Sequence, residues 1–236
     1  SYVPLYVRDG AISTQYIMTT LEELGLLKMD FLGLRTLTVI QDTIDLVKQN
    51  QGIDVKFDEK MNDPKVYKLW QNGESVGIFQ FESQGMTNFM KELKPDCLED
   101  IIAGVSLYRP GPMDQIPRYI ANKKDPEHAV YTHPALKPIL EVTYGCMVYQ
   151  EQVMQIVRDL AGYSLGRADL VRRAMGKKKL DVMAKEREIF IHGQIDENGN
   201  IVVPGCIRNG IDEQSANKIF DEMAEFAKYA FNKSHA

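Results

Sequence analysis

The spacing of hydrophobic residues predicts a largely helical chain. Between Leu34 and about Lys48, apolar side chains recur at intervals of three and four, among them Leu37, Ile40 and Ile44. This spacing is typical of an amphipathic helix. The same pattern predicts further helices over residues 63–72, 83–94, 96–106, 149–161, 167–175, 178–192 and 212–234.

Shorter extended pieces are predicted at two places. Residues 3–7 resemble a strand followed by a turn at Asp9–Gly10, and residues 19–24 resemble a capped helical turn that ends near Gly25. Near residues 194–203, two short apolar runs flank a polar turn and predict a β-hairpin.

The predicted fold class is therefore α+β and predominantly α-helical. A small mixed part ends near residue 52, where the pattern becomes mainly helical. Residues 109–117 and 133–145 are rich in Pro and Gly, which predicts structured loops.

Composition excludes several classes of protein. Of 236 residues, 44% are hydrophobic and 26% charged, which is typical of a globular domain and not of a disordered chain. The net charge of -5 removes the simplest argument for nucleic-acid binding, so such binding would have to rest on local basic patches. No run approaches the roughly 18 apolar residues of a membrane span, and no membrane partner is expected.

The cysteines and the chain ends refine these expectations. Cys97, Cys146 and Cys206 are widely separated, which favours neither a disulfide framework nor a zinc site and predicts a cytoplasmic protein. The chain begins without Met and ends within a helical pattern that has no stop signal, which favours an excised fragment.

Most familiar catalytic motifs are missing. The sequence has no phosphate loop of the GxxxxGK[ST] type, no GxGxxG and no HExxH. The four histidines also lack metal-ligand spacing.

Lys28 and Asp30 form the first candidate site. Strand alternation would place both on one face of residues 26–32. One interpretation is a surface ion pair. The other is a ligand for a hard cation such as Mg²⁺ beside a phosphate-binding lysine.

A basic run at residues 172–179 forms the second candidate site. Arg172 and Arg173 are adjacent on a predicted helix, with Gly176 as a predicted C-cap, and Lys185 and Arg187 extend the patch. Such a run is compatible with a solvated face, and lysines at a helix C-terminus suit the helix dipole. Tandem arginines are also well suited to bidentate phosphate contacts.

The order of several motifs resembles that of the bacterial DNA polymerase III alpha subunit, the C-family replicative DNA polymerase. The motifs are, in chain order, Lys28–Leu37, Ile78–Ser83, Tyr108–Pro112, Tyr149–Gln152, Ala168–Lys178 and Phe231–Ala236. The resemblance covers essentially the whole chain. It implies that residues 1–52 form the C-terminal part of the palm and residues 53–236 a fingers domain truncated at its C-terminal end.

The resemblance also implies an activity, template-directed nucleotidyl transfer with two Mg²⁺ ions, and roles for individual residues. Asp30 would be catalytic as a metal ligand. The incoming nucleotide would be bound by Lys28, Arg172, Arg173 and Lys177. DNA would be contacted by Arg109, Lys178, Lys179, Lys233 and His235. The implied partners are primer-template DNA, the incoming deoxynucleotide and other subunits of a replicative holoenzyme.

One departure from the family pattern limits this expectation. The family places two further metal-binding aspartates in a P-D-x-D-x-D-type motif, and this sequence contains no such run. The chain alone is therefore predicted to be inactive and not to hold the two Mg²⁺ ions. Two alternatives remain, a non-catalytic nucleic-acid- or nucleotide-binding helical module and a purely structural helical domain.

Overall fold

The computed structural model describes residues 3–27, 33–57, 59–176 and 180–236. The chain divides into two compact units, Ser1–Lys56 and Phe57–Ala236. Helices dominate the described residues, together with two small antiparallel two-stranded sheets, so the predicted fold class is confirmed. None of the helices described is both long and apolar enough to cross a membrane.

The first unit begins with a β-hairpin. Strands β1 (Leu5–Arg8) and β2 (Ala11–Thr14) pair so that Leu5 lies opposite Thr14. The predicted turn at Asp9–Gly10 is confirmed, and both residues have positive φ, 51° and 80°. This is the conformation that a tight two-residue hairpin turn requires and that an Asp-Gly pair adopts readily.

Two helices follow in the first unit. Helix α1 (Met18–Glu23) starts one residue before the predicted turn, and Ile17 precedes it without a side-chain cap, so the predicted cap is wrong. Helix α2 (Arg35–Gln51) confirms the amphipathic prediction and ends at Gly52, whose left-handed backbone (φ 67°) terminates the helix.

Helices build most of the second unit. They are α3 (Pro64–Asn72), α4 (Gln84–Leu93), α5 (Leu98–Leu107), α6 (Ile116–Lys124), α7 (Lys137–Leu140), α8 (Gln150–Ala161), α9 (Leu165–Gly176), α10 (Leu180–His192) and α11 (Glu213–Phe226). The predicted hairpin is confirmed as β3 (Gln194–Ile195) paired with β4 (Ile201–Val203).

Local sequence explains where several helices begin. The side chains of Asp63, Ser83 and Asp212 accept hydrogen bonds from backbone N–H groups in the first turns of α3, α4 and α11. Such caps satisfy donors that the helix itself leaves without a partner. The hydrogen bonds from Ser215 also lower the pKa of the Asp212 carboxyl.

Four predictions about the second unit are wrong. The stretch 109–117 is not a loop throughout, because α6 begins at Ile116 with a proline in its first turn, where proline is tolerated. Residues 134–143 form short helical turns. The last helix ends at Phe226 instead of residue 234, and Gly176 is still helical and does not cap α9.

The second unit contains two hydrophobic clusters. One is built mainly by α8, α9, α10 and α11, with Phe190 packed on Phe220. The other is built mainly by α4, α5 and α6, with Met90 and Tyr119 fully buried. Residues 227–236, here called the C-terminal segment, return to the start of α8, where the Gln150 N–H donates to the Phe231 carbonyl at 2.8 Å.

Candidate functional site

Helix α9 carries the tandem arginines that the sequence singled out. One face of the helix is buried in the first hydrophobic cluster through Ala168, Val171 and Met175. Because residues three and four apart share a helix face, Asp169, Arg172 and Arg173 come together away from that cluster. The Arg173 side chain is 63% exposed and that of Arg172 22%.

Both arginines bind one carboxylate. Arg172 donates from Nε (3.1 Å) and Nη2 (2.7 Å) to Oδ1 of Asp169. Arg173 Nε lies 2.7 Å from Oδ2 of the same residue. Sequence reasoning did not assign a role to Asp169, although its spacing of three and four residues from two arginines is a helix ion-pair signal.

Of the two residues predicted to extend this basic patch, Lys185 and Arg187, only one is left free by the described residues to contact a ligand. Lys185 is exposed, whereas the Arg187 guanidinium binds Asp221 and Asn217 of α11 and lies over the Phe220 ring. Lys177, Lys178 and Lys179 lie outside the described residues, as do Lys28 and Asp30.

Arg109 lies in a different part of the second unit. Its Nε donates to the Ser106 carbonyl and its Nη2 to the Tyr229 carbonyl, both at 2.9 Å. Its guanidinium also lies 4.5 Å from the centre of the Phe231 ring. Arg109 therefore fixes the C-terminal segment, and a contact with DNA stays a prediction.

Lys233 and His235 belong to the C-terminal segment itself. Lys233 Nζ lies 2.8 Å from Glu99 and 5.4 Å from the centre of the Tyr149 ring. His235 is exposed next to Phe231. These residues are thus not brought together with Arg172 and Arg173 by any contact among the described residues.

Gln152 is a buried residue whose structural role sequence reasoning missed. Its Oε1 accepts from the backbone N–H groups of Val148 (2.8 Å) and Tyr149 (2.9 Å), and its Nε2 donates to Thr143 Oγ1 at 2.7 Å. A Gln in the first turn that reaches back to the residue before the helix is a capping signal, and it was visible in the sequence. The Tyr149–Gln152 motif therefore anchors the start of α8.

One group of possible metal ligands occurs in the described ranges, formed by Asp96, Cys97 and Asp100. Lys123 Nζ already lies between its two carboxylates, 3.1 Å from Asp96 and 2.9 Å from Asp100. Burial disfavours this ammonium, but its hydrogen bond to Asp100 and the charge of that residue outweigh burial and raise the pKa of Lys123. The group is therefore an internal ion-pair cluster, with its cation supplied by the protein.

A cavity of about 320 Å³ lies beside the C-terminal segment. Asp114, Glu222 and Glu225 line it together with Arg118, whose Nη2 donates to backbone carbonyls of Val130 and Gly145. Three carboxylates against one engaged cation make this cavity unsuited to phosphate. Helix α9 is the better candidate for an anionic ligand.

Comparison with known proteins identifies the family to which this chain belongs. A model of the bacterial DNA polymerase III alpha subunit finger domain matches residues 36–198. The chain belongs to the bacterial DNA polymerase III alpha subunit family.

Individual relatives agree with this assignment to the DNA polymerase III alpha family. The DNA polymerase III subunit alpha of Thermus aquaticus is 49% identical over 97% of this chain, and that of Aquifex aeolicus is 46% identical over 99%. The subunit of Borreliella burgdorferi is 47% identical over the whole chain. The chain spans about a fifth of the length of these relatives (18–20%).

The finger-domain match includes helix α9 and both of its arginines. It begins within α2, in the first compact unit, and ends in the β3–β4 hairpin. The predicted division into palm and fingers at residue 52 is therefore left as a prediction.

Proposed function

We propose that this chain supplies the fingers, and a C-terminal part of the palm, of a DNA-directed DNA polymerase that replicates DNA. Within it, α9 binds the triphosphate of the incoming deoxynucleotide through Arg172 and Arg173. The observation that carries this proposal is that two neighbouring arginines lie on one helix face, where both contact Asp169. Family membership supports it, because the relatives are DNA polymerase III alpha subunits.

The two arginines suit a triphosphate for a chemical reason. Nη1 of Arg172 and both Nη groups of Arg173 make no hydrogen bond to other described residues. Guanidinium groups bind phosphate oxygens with paired hydrogen bonds, and several such contacts stabilise the charge of a phosphoryl group during transfer.

The proposed reaction is attack by a primer 3′-hydroxyl on the α-phosphorus of the nucleotide. A bond forms between that oxygen and phosphorus while the hydroxyl proton passes to water, the bond between phosphorus and the bridging oxygen breaks, and pyrophosphate leaves with the electron pair. Arg172 and Arg173 hold the triphosphate, and Lys177 adds a further cation. Two Mg²⁺ ions would supply charge neutralisation when bound, with Asp30 as one ligand and Lys28 beside the phosphates.

Primer-template DNA and other replicative subunits are the proposed partners. Lys178, Lys179 and His235 would face DNA phosphates. Arg109 and Lys233 hold the C-terminal segment, and with it His235, against the rest of the second unit. Direct DNA contacts by Arg109 and Lys233 stay predictions.

The 236-residue chain alone is proposed to be inactive in primer extension. A two-metal site needs several carboxylates that share the ions with substrate oxygens. Asp30 by itself does not supply that set, and ligands that act as a unit lose their function together when some are missing.

Binding of a deoxynucleoside triphosphate to the chain tests the role of α9. Titration at low and high salt is expected to show binding that weakens as salt rises, since the contacts are between opposite charges. Replacing both Arg172 and Arg173 by Ala is expected to weaken binding at least tenfold, on the order of 1.4 kcal/mol. Arg158→Ala is the control, because Arg158 is an exposed arginine that pairs with Asp159 on α8.

Equal binding by the double variant and the parent chain would contradict the proposal. So would an equal loss in Arg158→Ala, since that would indicate general attraction to positive charge.

A further inference from the structure

Asp169 occupies an unusual position between the two arginines of α9. Each of its carboxylate oxygens contacts a different guanidinium: Oδ1 accepts hydrogen bonds from Arg172, and Oδ2 forms an ion pair with Nε of Arg173 at 2.7 Å. The carboxylate is 28% exposed, so the cluster is open to solvent on one side. Neither the family match nor the motif comparison gives this residue a role.

We infer that Asp169 is a positioning residue that orients both arginines for the triphosphate. The inference rests on the proposed function of α9. Asp169 does not touch the nucleotide. It acts through Arg172 and Arg173 by fixing the end of each guanidinium that is nearer the backbone.

The pattern of donors supports this inference. Asp169 accepts hydrogen bonds from Nε and Nη2 of Arg172 and forms an ion pair with Nε of Arg173. Within the described part of the chain, both Nη groups of Arg173 therefore remain free to donate a pair of hydrogen bonds to a phosphate, and Nη1 of Arg172 remains free to donate as well. A phosphate can therefore bind without displacing the carboxylate.

Holding the two arginines in place before binding lowers the loss of conformational entropy when a ligand binds. A free arginine side chain has many rotamers, and immobilising one on binding costs about 0.5–1.5 kcal/mol. Arginines that are already held lose less freedom when a ligand binds. The effect on folding is small by comparison, because partly exposed ion pairs three and four residues apart on a helix each contribute only about 0.2–0.5 kcal/mol.

Simple electrostatics predicts the opposite effect. A carboxylate near a phosphate site repels the ligand, so its removal should tighten binding. Positioning predicts weaker binding after removal. The sign of the change therefore distinguishes the two explanations.

The experiment is a titration of the 236-residue chain with a deoxynucleoside triphosphate. Asp169→Asn keeps the size of the side chain but removes its charge, and it is expected to weaken binding about three- to tenfold. Asp169→Glu is expected to recover most of the affinity, because a glutamate also reaches arginines three and four residues ahead on a helix. Thermal unfolding of each variant should stay within about 2 °C of the parent, which separates positioning from loss of fold.

Asp159→Asn is the matched control. Asp159 also pairs with an arginine on a helix, but with only one, its sequence neighbour Arg158, at 2.6 Å on helix α8. This variant is expected to bind the triphosphate as the parent chain does.

The outcomes separate this inference from the proposed function. Unchanged or tighter binding by Asp169→Asn, with binding still dependent on Arg172 and Arg173, overturns the positioning role alone. Binding that does not depend on the two arginines, or no binding by the parent chain, overturns the proposed function and the positioning role with it.

Discussion

Lys123 is the cation of a buried charge cluster in the second unit. Its side chain is 11% exposed, and its Nζ lies 2.9 Å from Asp100, whose side chain is 1% exposed. A buried charge that loses its partner is strongly destabilising, whereas exposed pairs contribute little. This ion pair therefore matters more for folding than the many surface pairs of the chain.

Lys123→Met is expected to lower the free energy of unfolding by about 3 kcal/mol, because it leaves the Asp100 carboxylate buried without a cation. The measurement is denaturant unfolding at neutral pH. Lys124→Met is the control, since Lys124 is exposed on the same helix and should change stability by about 0.5 kcal/mol or less.

The difference in stability between the parent chain and Lys123→Met is expected to depend on pH, and the pKa of Lys123 fixes the direction of the change. The pKa of Lys123 is raised in the folded chain, so its contribution is complete below the unfolded value of about 10.4 and is lost as pH rises through the folded value. The stability difference between the parent chain and Lys123→Met should be constant from about pH 6 to 9 and shrink above about pH 10.4. A difference that grows at high pH would contradict this assignment.

Two ion-pair clusters show which side-chain contacts can be predicted from the sequence and which cannot. Arg172 and Arg173 are neighbours in the sequence, and Asp169 lies one helical turn before them, so their cluster follows from helix periodicity. Asp100 and Lys123 lie on different helices, α5 and α6. Their contact depends on how these helices pack, which local patterns do not encode.

At the scale of elements, the C-terminal segment is the clearest departure from prediction. Amphipathic spacing continues past Phe226, which explains the predicted helix to residue 234. The backbone instead finds partners far away in sequence. The Tyr229 carbonyl accepts from Arg109, and Phe231 exchanges hydrogen bonds with Val148 and Gln150. Tertiary contacts thus override a helix pattern that is locally sound.

Gly111 makes the close approach of this segment possible. Its φ is +102°, and a Cβ there would lie 2.5 Å from ring atoms of Tyr229. Gly111→Ala is therefore expected to displace the Tyr229 ring and lower the free energy of unfolding by about 2–4 kcal/mol, from overpacking together with backbone strain. Limited proteolysis should also cut the C-terminal segment faster.

Gly210→Ala is the matched control for this change. Gly210 has a similar positive φ of +84°, but nothing lies within 4 Å of the added Cβ. Its cost should be confined to backbone strain of about 1–2 kcal/mol, with no faster cleavage of the C-terminal segment. Equal losses in both variants would show that contact with Tyr229 is unimportant.

At the scale of the whole molecule, the two compact units differ in their cores. Both hydrophobic clusters consist entirely of residues from Phe57–Ala236. Among the described residues of Ser1–Lys56, Val3 alone is buried, and Leu37 on the apolar stripe of α2 is 61% exposed. Periodicity predicted α2 correctly. It could not tell which helices share a core, because an amphipathic pattern does not identify its partner.

This difference predicts the result of removing the first unit. A chain that starts at Phe57 keeps every residue of both clusters, and it should unfold within about 3 °C of the full chain, or about 1 kcal/mol. Removing only the ten residues of the C-terminal segment should lower the unfolding temperature more, since that segment supplies Ala227 to the first cluster and binds Arg109 and Glu99. Calorimetry on the three chains compares these effects directly. Two results would show that stability is not concentrated in the second unit. One is a smaller drop in unfolding temperature on removing the C-terminal segment than on removing the first unit. The other is a chain from Phe57 that fails to fold.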